Sequence, residues 1–299
     1  MKKLLFTLSL LIIFGISLNS CLKDQSSSPN PGYDVQSDAS NATILLENPL
    51  DLYLQADRAI RLQHDSIVAR NINQSSFSFK VGYINFTVSP ADSTTYPKTI
   101  TVDFGTDTTN TYTGIMFINM SGNMKKAGST CGLTYENLAT SNIHIYGNDS
   151  IVSQGVNGSG SVISRYNMND NHLRYTNGSS GSILPYSGRI IGKYNLTTKA
   201  NVIDSIEIIG TDDKAVGYRV FNYTSFKLQI NSDCGYFNNG VIKCDISPGG
   251  VKTGYLIYDY SVSSTGNSGS CDDTGGLYFY SYTNENYSTQ YLFAAKEFK

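Results

Sequence analysis

The chain has 299 residues, only 15% of them charged, with 22 tyrosines, 27 glycines and no tryptophan. That charge content lies well below the roughly 25% usual in soluble domains, and the wealth of Tyr, Asn, Ser, Thr and Gly suits an exported β protein better than a cytosolic helical one. With 22 basic against 24 acidic side chains the chain offers no electrostatic footprint for nucleic acid, while its length allows one large β domain or two smaller ones.

Met1-Lys2-Lys3 is a positive start, and the apolar run Leu4 to Leu18 that follows is shorter than the roughly 20 residues of a spanning helix. It reads as the core of a signal peptide over 1–20. Leu18-Asn19-Ser20-Cys21 then sets a cysteine three residues after a leucine, the spacing of a lipobox, in which the thiol takes a diacylglyceryl chain through a thioether. Cys21 is therefore the expected lipidation site, and several acyl chains on one terminus give lasting membrane anchorage. Residues 21–47, rich at their start in Ser, Pro and Gly, are expected to be a flexible tether.

An amphipathic helix is expected over 48–71. Asn48 can cap it, Pro49 suits its first turn, and Leu52, Ala56, Ala59, Ile60 and Ile67 recur at helical spacing opposite Asp57, Arg58, Arg61 and Asp65. Residues 72–299 are expected to be an antiparallel β domain, with room for two subdomains. Alternating runs such as Phe77 to Val88, Thr99 to Phe104, Ile115 to Met120, Ile203 to Ile209 and Leu277 to Tyr282 are separated by Gly, Asn, Asp and Ser clusters. No helical pattern lies between them to carry a parallel crossover. The expected class is thus mainly β, an antiparallel meander, sandwich or open barrel with one N-terminal helix. Gly114, Gly188 and Gly254 each follow a hydroxyl residue or stand close behind one and precede a strand, where glycine permits a bulge or a positive φ.

Beyond Cys21 four cysteines remain, Cys131, Cys234, Cys244 and Cys271. An even number in an exported chain favours two disulfides, with the pairing open among three arrangements. Asn238-Asn239-Gly240, between Cys234 and Cys244, is a hairpin-turn signal whose register would decide whether those two thiols face each other.

The sequence gives no sign of catalysis. His64, His144 and His172 have no evident carboxylate or nucleophile partner, and neither a Gly-x-Ser-x-Gly elbow nor a His-Glu-x-x-His motif occurs. No catalytic residue, metal site or cofactor is expected. In the C-terminal run, Tyr278, Tyr280 and Tyr282 fall on one face of a strand, either as packing partners or as a platform on which sugar rings could stack.

Several of these landmarks together resemble a group of Bacteroidota-type surface lipoproteins without an assigned function. They are Thr99 to Gly105, Thr113-Gly114, Ser121 to Ser129 and Gly269 to Asp273. The resemblance implies a short helical region behind the lipid site and a long antiparallel β domain. The group often has a cysteine soon after the Asp-Phe-Gly landmark, and this chain has none over Thr106 to Asn110, so no disulfide pairing carries over. Lys23-Asp24 resembles a shortened form of the signal that sends such lipoproteins to the outer face of the outer membrane. Asp65-Ser66, Asp92-Ser93, Asp107-Thr108, Asp149-Ser150 and Asp204-Ser205 resemble the acceptors of Bacteroidota O-glycosylation, which makes Ser66, Ser93, Thr108, Ser150 and Ser205 candidate sites. The functional expectation is a lipid-anchored outer-membrane protein facing the cell exterior with a binding or structural role. Its expected partners are the membrane and either a surface glycan or another envelope protein. The alternatives are a glycan-binding accessory protein and a hydrolase of envelope polysaccharide.

Overall fold

A computed structural model describes residues 35–175, 183–212, 215–222, 228–230, 237–247, 252–258, 274–281 and 288–294. Among the described residues one helix, α1 (Val35–Ala69), precedes a 15-stranded sheet in which every pairing is antiparallel. The mainly β, antiparallel class expected from the sequence is what the chain adopts.

The helix begins well before the expected boundary and runs straight through Asn48-Pro49. Asn48 does not cap; its side-chain amide donates to the Ile44 carbonyl one turn earlier at 3.0 Å. Pro49 lacks an amide hydrogen and costs about 3 kcal/mol inside a helix. Leu45, Leu46, Leu50 and Leu52 are each fully buried, at about 1.5–3 kcal/mol apiece, so packing outweighs the local stop signal. From Asn41 to Ile60 no helix residue is exposed, the condition of a helix enclosed by its surroundings rather than lying on a surface. Its end falls where expected. Asn71 adopts φ 49°, its amide donates to Val68 and that of Ile72 to Ile67, which closes the last turn in a Schellman motif.

The strands follow one another as a meander: β1 (Phe77–Val81), β2 (Ile84–Ser89), β3 (Lys98–Asp103), β4 (Thr113–Met120), β5 (Thr130–Ala139), β6 (Ile143–Val156), β7 (Ser161–Tyr175), β8 (Ile183–Asn195) and β9 (Asn201–Thr211). The expected single run from Phe77 to Val88 is a hairpin, turned at Gly82 with φ 60°, as a type II′ turn requires of its first central residue. Next come β10 (Gly217–Asn222) and the short β11 (Leu228–Ile230), both of which pair with β9 on one side and β12 (Phe237–Ser247) on the other. Together they fill one strand position. The sheet ends with β13 (Lys252–Tyr258), β14 (Thr274–Ser281) and β15 (Ser288–Ala294), and no pairing among the described residues joins β15 back to β1. Among the described residues the sheet is continuous from β1 to β15.

Asn238-Asn239-Gly240 lies inside β12, where Asn239 pairs with Gln229 and Gly240 with Tyr258. A strand with partners on both sides has no room for a turn, so the expected hairpin is absent. Of the three strand-entry glycines, Gly114 is a bulge, with φ 90° and a register shift beside it. Gly188 pairs in regular register with Ile208 of β9, and a Cβ there would lie 2.2 Å from the Glu207 carbonyl oxygen. It is held by close strand approach instead of by dihedral angle.

Candidate functional site

The helix is bonded into the sheet by polar side chains at successive levels. Near its start the Tyr175 hydroxyl donates to Asn41 Oδ1 at 3.1 Å, and Asn41 Nδ2 reaches the Tyr218 hydroxyl oxygen at 3.1 Å. Tyr218 in turn donates to Asp212. At the middle, Tyr112 donates to Asp51 at 2.7 Å. One residue pair further on, the Tyr53 ring lies 5.6 Å from that of Tyr166.

Beneath Tyr53 a buried carboxylate gathers groups from four adjacent strands. Asp149 on β6 accepts from Tyr135 on β5, from Tyr166 on β7 at 2.5 Å, and from the Asn171 side-chain amide, while Asn171 also lies 3.3 Å from the Tyr186 hydroxyl on β8. Burial pushes the Asp149 pKa up, and the three donors oppose that rise. All these groups have partners, so the cluster fixes structure and presents no open site.

The opening lies beyond it, toward the helix C-terminus. A cavity of about 260 Å³, open to solvent, is lined by the last turns of α1, the β4–β5 loop, β7 and the end of β8 with the turn after it. That volume falls just under the usual range for drug-sized ligands. Asp57, Ile60, Arg61 and His64 enter it from one helix face at i, i+3, i+4 and i+7 spacing. Asp57 and Arg61 neutralise each other through a 2.9 Å ion pair, and the guanidinium stacks over the Tyr194 ring at 3.7 Å. Burial lowers the His64 pKa, with the Lys125 ammonium adding to the effect, so the imidazole is neutral at pH 7.

Gln63 is the unusual member. Its side chain is only 2% exposed; the amide nitrogen donates to the Ile60 carbonyl at 3.2 Å, and Oε1 has no partner. The opposite wall is stiff. Asn123 Oδ1 accepts from the Lys125 amide at 2.9 Å, the Ser129 hydroxyl donates to the Asn123 carbonyl at 2.8 Å, and the Ser153 hydroxyl to that of Met124 at 2.6 Å. Chemically the cavity offers a neutral imidazole, two lysines and apolar walls. Among the described residues His64 has no hydrogen-bonded carboxylate or nucleophile, and no three His, Cys, Asp or Glu side chains are grouped to hold a metal ion.

The residues singled out from sequence are scattered. Cys21 lies outside the described residues. So do Cys234, Cys271 and Tyr282, and the side chains of Tyr278 and Tyr280, although β14 carries both at positions of one face. Cys131 is a free, buried thiol, contrary to the expected pair of bridges that would include it. It donates to Met124 Sδ at 3.4 Å, burial pushes its pKa up to about 12, and neither neighbouring strand carries a cysteine. Cys244 is buried on β12. Ser93 and Thr108 are exposed in turns where Asp92 and Asp107 accept from backbone amides. Ser66, Ser150 and Ser205 are half-buried, on α1, β6 and β9.

The cavity itself was missed by sequence reasoning, with one partial signal: its β4–β5 wall is the Ser121 to Ser129 segment that carries part of the resemblance. Comparison with protein-family models finds no match, and none is found among curated proteins or solved structures.

Proposed function

We propose that this protein is a lipid-anchored binding protein of the outer membrane, facing the cell exterior, whose β domain takes up a small ligand in the cavity beside α1. The observation that carries the binding role is the cavity itself, where the His64 imidazole and the Lys125 and Lys199 side chains stand among the apolar walls of Ile60, Met120, Met124 and Val162. The anchor is supported by the apolar run and the cysteine spacing at Cys21, and the outward orientation by Lys23-Asp24.

Two measurements test this reading. Metabolic labelling with an alkyne fatty acid should mark the parent and not a Cys21→Ala variant; continued labelling and membrane partitioning of the variant would refute the anchor. Native mass spectrometry after incubation with a metabolite extract should show a small-molecule adduct on the parent. The adduct should be absent from a Val162→Trp variant, which fills the cavity, with far-UV circular dichroism verifying that this variant is folded. A parent that takes no adduct would refute the binding role.

A further inference from the structure

We infer that the outward face of β2–β7 binds a neutral, unbranched polysaccharide laid across the strands, at a site separate from the cavity beside α1.

Sheet register builds this face. On the side opposite to the one that sets Tyr166 against Tyr53 of α1, Ser89, Thr99, Asn119, Gly132, Ser150 and Asn167 pair in succession from β2 to β7. Two residues along each strand, Thr87, Thr101, Phe117, Thr134, Asn148 and Asn169 make a second row beside the first. None of these twelve residues is buried, whereas every residue between the two rows is, from Val88 to Met168. No register shift falls within either row or between them. Strands about 4.8 Å apart give a strip about 24 Å long over its five strand-to-strand steps, with rows ~7 Å apart.

Not one of the twelve carries a formal charge, although charges begin as soon as the strip ends. Asp103 and Glu136 are the next outward residues on β3 and β5, Arg165 is the next on β7, and Arg189 of β8 stands beside Asn167. The strip therefore presents hydroxyl and amide groups that both donate and accept, with nothing to neutralise an ion, which makes it the complement of an uncharged chain of hydroxyls. Thr99 donates to Asn119 Oδ1 at 2.9 Å, which orients that amide and leaves its hydrogens for a ligand. Phe117 is half-buried in the middle of its row, between Thr101 and Thr134, an apolar ring against which the C–H side of a sugar packs. A protein partner fits less well, because interfaces concentrate aromatic, Met and Arg side chains at their centre and the strip has one Phe and neither of the others. Small-molecule sites are concave, and two rows across six strands enclose nothing; their length suits an extended polymer, with one strand spacing close to the length of one sugar unit.

The test is affinity electrophoresis of the purified mature chain in native gels cast with mixed-linkage glucan, xylan, mannan or amylose, with polygalacturonate as the anionic control. At least one neutral polymer should retard the protein and polygalacturonate should not, and the retardation should be insensitive to salt because no ion pair contributes. Phe117→Ala, and separately the near-isosteric double variant Asn148→Asp/Asn167→Asp, should each weaken binding roughly tenfold or more, with far-UV circular dichroism verifying the fold of both. Arg189→Gln, just outside the strip, and Val162→Trp, in the cavity, should leave it unchanged. Oligosaccharides cut from the retarding polymer should compete better as they lengthen, up to the length that spans the strip. Lack of retardation by every neutral polymer, retardation by polygalacturonate that salt abolishes, or neutral-polymer binding that survives both strip variants overturns the inference. Binding that is lost in Val162→Trp and kept in the strip variants assigns the polymer to the cavity and overturns it as well.

Discussion

Gly192 on β8 leaves the space that the Tyr53 phenol of α1 occupies: a Cβ built on Gly192 would stand 2.3 Å from the tyrosine hydroxyl oxygen and 2.8 Å from two ring carbons. Gly210 does the same for Leu45, whose Cδ1 would lie 2.9 Å from an added Cβ. The sheet thus receives the helix through glycines set opposite large helix side chains. Gly192→Ala should destabilise the protein by about 1–3 kcal/mol, the usual cost of overpacking, in urea denaturation. Tyr53→Leu in the same chain should recover part of that loss, and strictly additive effects would show that the two residues do not share the space.

Asp149 should be the costliest single polar position in the core. Asp149→Ala leaves the Tyr135 and Tyr166 hydroxyls and the Asn171 amide without their shared acceptor, and about 3 kcal/mol of stability should be lost. Tyr135→Phe removes one donor and should cost about 1 kcal/mol. Similar values for the two variants in denaturant titrations would contradict the network.

Cys131 should be inert in the native protein and reactive once unfolded. Only the thiolate is alkylated, and a thiol with its pKa pushed up to about 12 beneath Met124 has almost none at neutral pH. Iodoacetamide added to the unreduced protein should label Cys131 only after denaturation, as read by peptide mass spectrometry. Its absence from the labelled peptides of denatured, unreduced protein would mean that the thiol is bridged after all.

The His64 imidazole gives stability a pH dependence of defined sign. Its folded pKa lies below the ordinary 6.5 because of burial, with Lys125 and Lys98 facing it as like charges and Asp65 opposing them. Between those two values the unfolded chain binds the extra proton, so stability should fall as pH drops from 6.5 toward the folded pKa and level off below it. His64→Leu should flatten that stretch of the profile relative to the parent. An unchanged slope would place the titration elsewhere.

How far the sequence reached is visible in particular elements. Period-two alternation between Gly- and Asn-rich turns marked the β class and strands such as β3, β4 and β9, because each strand half-buries one face and that pattern is written locally. The C-terminal end of α1 was legible because its apolar repeat stops after Ile67. Its start was not, since Asn48-Pro49 is a sound local start signal worth about 1 kcal/mol as a cap, and only the tertiary structure supplies the burial of Leu45, Leu46 and Leu50 that overrides it. Likewise Asn239-Gly240 reads as a turn until β11 on one side and β13 on the other pair with it in the sheet. The cavity depended wholly on the fold. Arg61, Gln63, Lys125 and Lys199 come from three separate chain segments, and nothing in local spacing records that a sheet meander and a buried helix bring them to one place.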